Sequence, residues 1–234
     1  MNTALILSGG IGSRMGTEVP KQYIEVHNRL VISYSIETLS KHAGIDAIQI
    51  VAASQWHEKI LESLTKYDQD KKFRGFSEPG ENRQLSIYHG LTDIRSFAKD
   101  SDIVLVHDAA RPLLSERMIT DSLLAVEGHD GVLPILPMKD TVYKSEDGRS
   151  IGALLDRDKL FAGQAPETFR IGAYYQANRR LRYDQMLSIN GAAEPAFMAG
   201  LDIVMIAGDE DNFKITTKKD LERFACYWNG VNSN

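Results

Sequence analysis

Short unbroken apolar runs alternate along this chain with stretches in which apolar residues recur every three or four positions. That alternation predicts strands followed by helices. Residues 3–8 (TALILS) form a nearly continuous apolar run that stops at glycines, as a strand buried on both faces of a parallel sheet does. Residues 31–41 place apolar side chains at 31, 32, 36 and 39, a helical spacing. Residues 47–54 read as a second strand and 55–66 as a second amphipathic helix. A helix is expected over 82–98, a buried strand opening the stretch 102–112, a helix over 115–127 and a strand over 131–138. A late strand at 202–209 and a closing helix at 217–229 complete the pattern. Strands alternating with helices imply right-handed crossovers and a mostly parallel sheet covered by helices, an α/β fold in one domain spanning 1–234.

The stretch from about 139 to 180 breaks the rhythm. It alternates, carries a turn signal at Glu146, Asp147 and Gly148, and shows little helical periodicity, so it reads as a β-arm leaving the main sheet. Such an arm is too small for a core of its own and needs something to pack on. A second copy of the chain, in a homodimer, is the expectation.

Composition narrows the partners. The chain has 234 residues, 43% hydrophobic and 25% charged, with a formal charge of -5. This is an ordinary soluble composition, and it argues against a surface that coats nucleic acid. One cysteine, Cys226, excludes an internal disulfide and any multi-cysteine zinc site, and reads as a small apolar residue of the closing helix. No apolar run reaches the ~18–20 residues of a membrane span, and the N-terminus lacks the charged start and cleavage site of a signal peptide. A cytoplasmic protein with no membrane partner is expected.

Candidate chemistry lies where strands end, since open parallel sheets bind ligands at the carboxyl ends of their strands. The stretch LSGGIGSRMG (7–16) has neither the GK[ST] of a P-loop nor the spacing of a dinucleotide fingerprint. It remains a glycine-rich turn whose backbone amides can hold phosphate oxygens, followed by the cations Arg14 and Lys21. Two fixed cations near such a cradle suit a departing pyrophosphate; a plain turn with a surface Arg and Lys is the alternative. In HDAARP (107–112), Asp108 follows an apolar strand directly, where a carboxylate can ligate Mg²⁺ or hold a sugar hydroxyl, and Arg111 can pair with a phosphate. An N-cap aspartate with a solvated arginine would look the same. Residues 81–90 (ENRQLSIYHG) put Arg83 and Ser86 at a helix start, which attracts phosphate or base edges or is merely capped. Lys214 precedes the closing helix.

Four segments in order, GGIGSRMG…PKQY, ENRQLS, VHDAARP and DNFKITTKKDL, resemble the cytidylyltransferases of the isoprenoid and teichoic-acid pathways, over roughly residues 2–225. The resemblance implies a Rossmann-like, nucleotide-diphospho-sugar transferase fold and transfer of CMP from CTP to a small polyol phosphate, of the methylerythritol, ribitol or glycerol kind, with release of pyrophosphate. It implies that the backbone of residues 8–12 (Ser8, Gly9, Gly10 and Gly12 among them) cradles the triphosphate. Arg14 and Lys21, with Lys214, would be the catalytic cations. Arg83 and Ser86 would lie beside the cytosine and ribose. Asp108 would hold the Mg²⁺-nucleotide or the acceptor hydroxyls, and Arg111 and Lys214 would face the acceptor. Arg157, on the arm, matches an arginine that reaches the acceptor phosphate of a neighbouring subunit.

Two places depart from the family pattern. Where both branches read Q-T-P-Q this chain has Gln164-Ala165-Pro166-Glu167, losing a hydroxyl and gaining a carboxylate. Where they carry Thr-Asp it has Asn190-Gly191, with Glu194 the nearest acid. An acceptor other than methylerythritol phosphate, or an atypical member of the family, is therefore expected. The other readings are a sugar-phosphate nucleotidylyltransferase using another nucleotide, or a catalytically silent nucleotide-binding homologue.

Overall fold

The computed structural model describes residues 1–10 and 19–231; Gly12 and Arg14 lie outside the described residues. In chain order the elements are β1 (Asn2–Leu7), β2 (Glu25–Val26), β3 (Arg29–Leu30), α1 (Val31–Lys41), β4 (Ala47–Val51), α2 (His57–Tyr67), β5 (Phe73–Ser77), α3 (Arg83–Ile94), β6 (Ile103–Asp108), α4 (Glu116–Ala125) and β7 (Gly131–Pro137). Then follow β8 (Val142–Lys144), β9 (Ala153–Leu155), β10 (Phe161–Gly163), β11 (Glu167–Arg170), α5 (Ile171–Arg179), α6 (Tyr183–Ser188), α7 (Ala193–Met198), β12 (Ile203–Ala207) and α8 (Lys218–Val231).

The eight-stranded sheet is built on β1, which pairs in parallel with β4 on one side and β6 on the other; β5 adds in parallel to β4. Beyond β6 comes β11, antiparallel to both β6 and β7. The far edge is β12, parallel to β7. Strand β10 pairs antiparallel with the far end of β7, so β10 and β11 form one interrupted line running against the rest of the sheet.

Alternation along β1 explains the two-layered core. Ala4 and Ile6 face the cluster formed with Ile32, Ile36 and Leu39 of α1, Ile60 of α2 and Met118 of α4. Leu5 faces the opposite cluster with Ile87, Leu91 and Ile94 of α3, and with Phe169 and Tyr174. Gly90 permits the close approach of α3, because a Cβ there would sit 2.5 Å from Leu5 Cδ1. Among the described residues no helix is long and apolar enough to cross a membrane.

The expected mostly parallel sheet with flanking helices is found, but the stretch 139–180 folds differently from expectation. The excursion is the hairpin β8–β9, with Val142 opposite Leu155 and a turn in which the Asp147 carboxylate accepts from the Arg149 and Ser150 amides at 2.8 Å each. Residues 161–170 return to the central sheet, and 171–179, read as arm, form helix α5, whose Tyr174 is fully buried. The apolar positions of α5 point into a core supplied by distant segments, a source of order that local alternation does not reveal. Strand β5 and helices α6 and α7 were not anticipated: β5 is a half-buried edge strand containing Arg and Gly, and the two helices have only six residues each.

Phe169 stacks on Tyr174 with ring centroids 3.9 Å apart, and both are buried. Phe169→Ala should therefore cost about 3–5 kcal/mol, read as a lower midpoint in urea unfolding.

Candidate active site

The carboxyl edge of the sheet brings the first two predicted segments together. Leu7 and Asp108 are register partners on β1 and β6, and the Ala109 amide donates to Leu7 O at 3.0 Å. The glycine turn that begins at Ser8 therefore starts beside the Asp108 strand end. The Ser8 hydroxyl is buried and donates to Tyr23 Oη at 2.8 Å, so it faces the protein, and the turn offers a ligand its backbone. Gly9 must be glycine for space: a Cβ would lie 2.6 Å from Pro79 Cβ, in the loop leading to α3. Lys21 stands in a single 3₁₀ turn spanning Lys21–Tyr23.

Helix α3 starts against this turn. Asn82 caps it, its Oδ1 accepting from the Leu85 amide at 2.9 Å. Its Nδ2 donates to Met186 O at 2.7 Å, tying α6 to the helix start. The Ser86 hydroxyl donates to Asn82 O at 2.9 Å and accepts from the Gly80 amide at 3.0 Å. A hydroxyl has two acceptor lone pairs, so Ser86 keeps one for a ligand N–H.

Asp108 is the electrostatic centre. Its Oδ1 accepts from Arg83 Nε at 3.0 Å, and its Oδ2 lies 2.9 Å from Lys214 Nζ and 3.5 Å from Arg111 Nε. Burial disfavours its charge, but the cations Arg83, Lys214 and Arg111 overcome that and hold its carboxyl well below the usual carboxylate range. Arg83 also reaches a second buried acid, with Nη2 3.2 Å from Glu167 Oε1. Strand register produces this pair. Glu167 sits opposite Val106, and Asp108 is two residues on, hence on the same face. Burial pushes the Glu167 carboxyl up, Arg83 pulls it back, and Asp108 adds to the rise; Glu167 Oε2 finds no hydrogen-bond partner among the described residues.

Two further contacts fix the cations. His107, fully buried and pushed down to about 4 by desolvation, stays neutral and donates from Nε2 to Arg111 O at 3.0 Å, where Ser35 also donates at 3.1 Å. The segment before α8 is strapped down by Gln164. Its Nε2 donates to Asp209 O (2.8 Å) and Asn212 O (3.2 Å), while its Oε1 accepts from the Asp209 amide at 2.9 Å. Asn212 donates to Ala165 O at 2.7 Å, Arg111 Nη1 donates to Asn212 O at 2.8 Å, and the Ile215 amide donates to Ala110 O at 2.8 Å. Lys214 is carried to Asp108 by this backbone docking.

Arg83, the Asp108–Arg111 loop and Lys214, far apart in sequence, thus converge, with Ser8, Gly9, Gly10 and Ser86 on the adjoining side. Arg83, expected beside the base and ribose, has its Nε and Nη2 committed to two carboxylates. Arg157 belongs to the arm, where Nη1 donates to Lys139 O at 3.0 Å. Glu194 accepts from the Asn190 amide at 3.0 Å and so closes its own loop. Sequence reasoning registered Glu167 as a gained acid but missed its partner; Gln22, Tyr23 and Gln164 went unnoticed as supports. Among the described residues no three His, Cys, Asp or Glu side chains gather as a metal cage. Both Asp108 oxygens already face cations, so the donor set does not fit a resident metal site.

Removing the shared guanidinium leaves two buried acids without their common partner. Arg83→Met should destabilise the fold by about 3 kcal/mol at neutral pH. In the variant Glu167 loses the cation that opposed its raised pKa, so the folded state binds more protons than the unfolded one above the ordinary carboxylate range. The deficit then shrinks as pH falls, and urea unfolding at pH 5 and pH 7.5 reads the difference.

Comparison with known proteins places this geometry. The sequence model of the 2-C-methyl-D-erythritol 4-phosphate cytidylyltransferase family matches residues 3–229. A ribitol-5-phosphate cytidylyltransferase of Vibrio parahaemolyticus is 30% identical over 221 residues, covering 94% of this chain and 92% of its own. A 2-C-methyl-D-erythritol 4-phosphate cytidylyltransferase of Clostridium tetani is 30% identical over 236 residues, covering 100% and 94%. The solved 4-diphosphocytidyl-2C-methyl-D-erythritol synthase of Anaerococcus prevotii superposes with a TM-score of 0.81 at 25% identity, covering 97% of this chain and 96% of that one. With a glycine turn beside a cation-ringed Asp108 and a family match over nearly its whole length, the chain belongs to the 2-C-methyl-D-erythritol 4-phosphate cytidylyltransferase family and is a nucleotidyltransferase of the cytidylyl class.

Proposed function

We propose that this chain transfers CMP from CTP to the phosphate of a small polyol phosphate of the ribitol or methylerythritol kind. An acceptor phosphate oxygen attacks the α-phosphorus, the bond to the bridging oxygen of the β-phosphate breaks, and pyrophosphate leaves. The observation that carries this reading is the Asp108 cluster seated beside the glycine turn. An anionic nucleotide and an anionic acceptor must meet there, and the three cations exceed the negative charge of Asp108 and Glu167. No covalent intermediate is needed, so positioning and charge stabilisation supply the rate.

In this reading the amides of Gly9 and Gly10 receive the triphosphate, since the Ser8 amide is spent on Val51 O and its carbonyl on Gln22 and Tyr23. Lys21 and Arg14 meet the charge that develops on the pyrophosphate side. The spare lone pair of Ser86 suits the exocyclic amine of cytosine. Arg83 acts as the strut that aims Asp108, while Arg111 and Lys214 face the acceptor. Mg²⁺ enters with the triphosphate as Mg·CTP, which fits a site without a cage. A cytoplasmic location for the reaction belongs to the same reading.

The same reading includes a homodimer formed through the arm, with Arg157 turned to the partner's acceptor site. Support comes from Tyr143, Ile151 and Leu154 on and around β8–β9, which are 54%, 71% and 66% exposed. Leu154→Asp should shift the mass by light scattering from dimer to monomer; an unchanged mass removes the arm from the interface.

Pyrophosphate release with each of the four nucleoside triphosphates, against ribitol 5-phosphate, glycerol phosphate and 2-C-methyl-D-erythritol 4-phosphate, tests the reaction. Turnover with CTP and one polyol phosphate is expected, and turnover with UTP alone would sink the cytidylyl assignment. Lys21→Ala and Arg14→Ala should each lower kcat about a hundredfold or more, as removal of a transition-state charge partner does.

A further inference from the structure

The first turn of the glycine loop has a closed side and an open side, and one buried side chain holds the closed one. Gln22 is 3% exposed, and its Nε2 donates to Ser8 O at 2.7 Å and to Gly10 O at 2.8 Å. A side-chain amide has two N–H donors, so both are spent on these carbonyls. Tyr23 Oη adds a second donor to Ser8 O at 2.9 Å, and its ring is stacked on Trp56 with centroids 4.3 Å apart. Among the described residues nothing covers the other side of the turn. A Cβ on Gly10 would meet nothing within 4 Å, and the amides of Gly9 and Gly10 donate to no group among the described residues.

We propose that Gln22 is a positioning residue for the nucleotide, drawing the Ser8 and Gly10 carbonyls inward so that neither oxygen faces the triphosphate and the Gly9 amide, which shares a peptide plane with Ser8 O, points to it. The physical reason is the sign of the peptide dipole. Glycine imposes little preference on the orientation of these peptide planes. A plane turned the other way would present a carbonyl oxygen to phosphate oxygens, replacing a hydrogen bond with a repulsion. Buried carbonyls also require donors, and Gln22 supplies them where no regular element does. Because Gln22 follows Lys21 within one 3₁₀ turn, the same side chain sets the amides and the lysine in one frame. Binding then meets a preformed cradle in place of a mobile glycine turn.

This inference rests on CTP being the nucleotide, so the wild-type protein is assayed first with Mg·CTP and the polyol phosphate it turns over. Gln22→Met keeps the length and removes the donors; Gln22→Glu turns a carboxylate toward two carbonyl oxygens. Both should raise KM for CTP by about tenfold or more and leave KM for the polyol phosphate within about twofold; Gln22→Met should melt within a few degrees of wild type, and Gln22→Glu, which buries a carboxylate against carbonyl oxygens, lower. Tyr23→Phe, which removes one donor to Ser8 O and keeps the ring on Trp56, should raise KM for CTP severalfold.

A Gln22→Met protein whose KM for CTP stays within about twofold of wild type overturns the proposal. So do equal rises in both KM values, which would mark general damage. If Gln22→Met does not fold, Tyr23→Phe decides, and an unchanged KM for CTP overturns the proposal. A wild-type protein inactive with CTP defeats the cytidylyl reading instead. The same variants are then compared by calorimetry with whichever nucleoside triphosphate binds, where equal affinity for wild type and variants overturns the role of Gln22.

Discussion

A buried carboxylate must either be neutral or be surrounded by compensation, and Asp108 has taken the second course. Its charge is sustained by Arg83 from a helix start, Arg111 from its own loop and Lys214 from the segment before the last helix. Each of these cations is brought in by a different part of the fold. The pairing of β6 with β1, the docking of α3 on Leu5, and the strapping of residues 209 and 212 to Gln164 and of residue 215 to Ala110 all bear on that one charge. Remove the charge and the three cations repel one another at the sheet edge.

The arrangement is also an answer to a charge problem. A triphosphate and a phosphorylated acceptor carry more negative charge than any single cation can offset, and they must approach within bonding distance. In the proposed reaction, cations held at fixed distances by Asp108 would not need to reorganise as charge develops, the condition under which electrostatic stabilisation is effective. Glu167 trims the excess. It lies at the start of the strand that runs against the sheet, so its side chain reaches the same edge as the ends of the parallel strands.

How much of this was legible in the sequence follows from what each element needs. Strands β1, β4 and β6 are buried on both faces and show themselves as unbroken apolar runs; α1 and α2 repeat at helical spacing and were placed within a few residues. The edge strand β5, FRGFS, is half exposed and carries no such run. Residues 167–179 were assigned to the arm because strand β11 is only four residues long and its order comes from β6 and β7, each far away in sequence. The site divides in the same way. Residue types at strand ends and helix starts pointed to Arg83, Asp108 and Arg111, while Ser8 came only from the family resemblance. The pairing of Glu167 with Arg83 depends on register across an antiparallel pair, and the support by Gln22 and Gln164 depends on carbonyls, which a sequence does not display.

Gln164 has a consequence of its own for how this enzyme can vary. It grips the segment before α8 by the carbonyls of residues 209 and 212 and the amide of 209. Carbonyls belong to every amino acid, and the amide to all but proline. Apart from the buried Asn212 side chain on Ala165 O, the path that delivers Lys214 is held through its backbone, and the exposed side chains of Glu210 and Asp211 take no part in the grip of Gln164. The fold stores the position of Lys214 largely in groups that mutation seldom alters, leaving the side chains of the surrounding loop open to be rewritten.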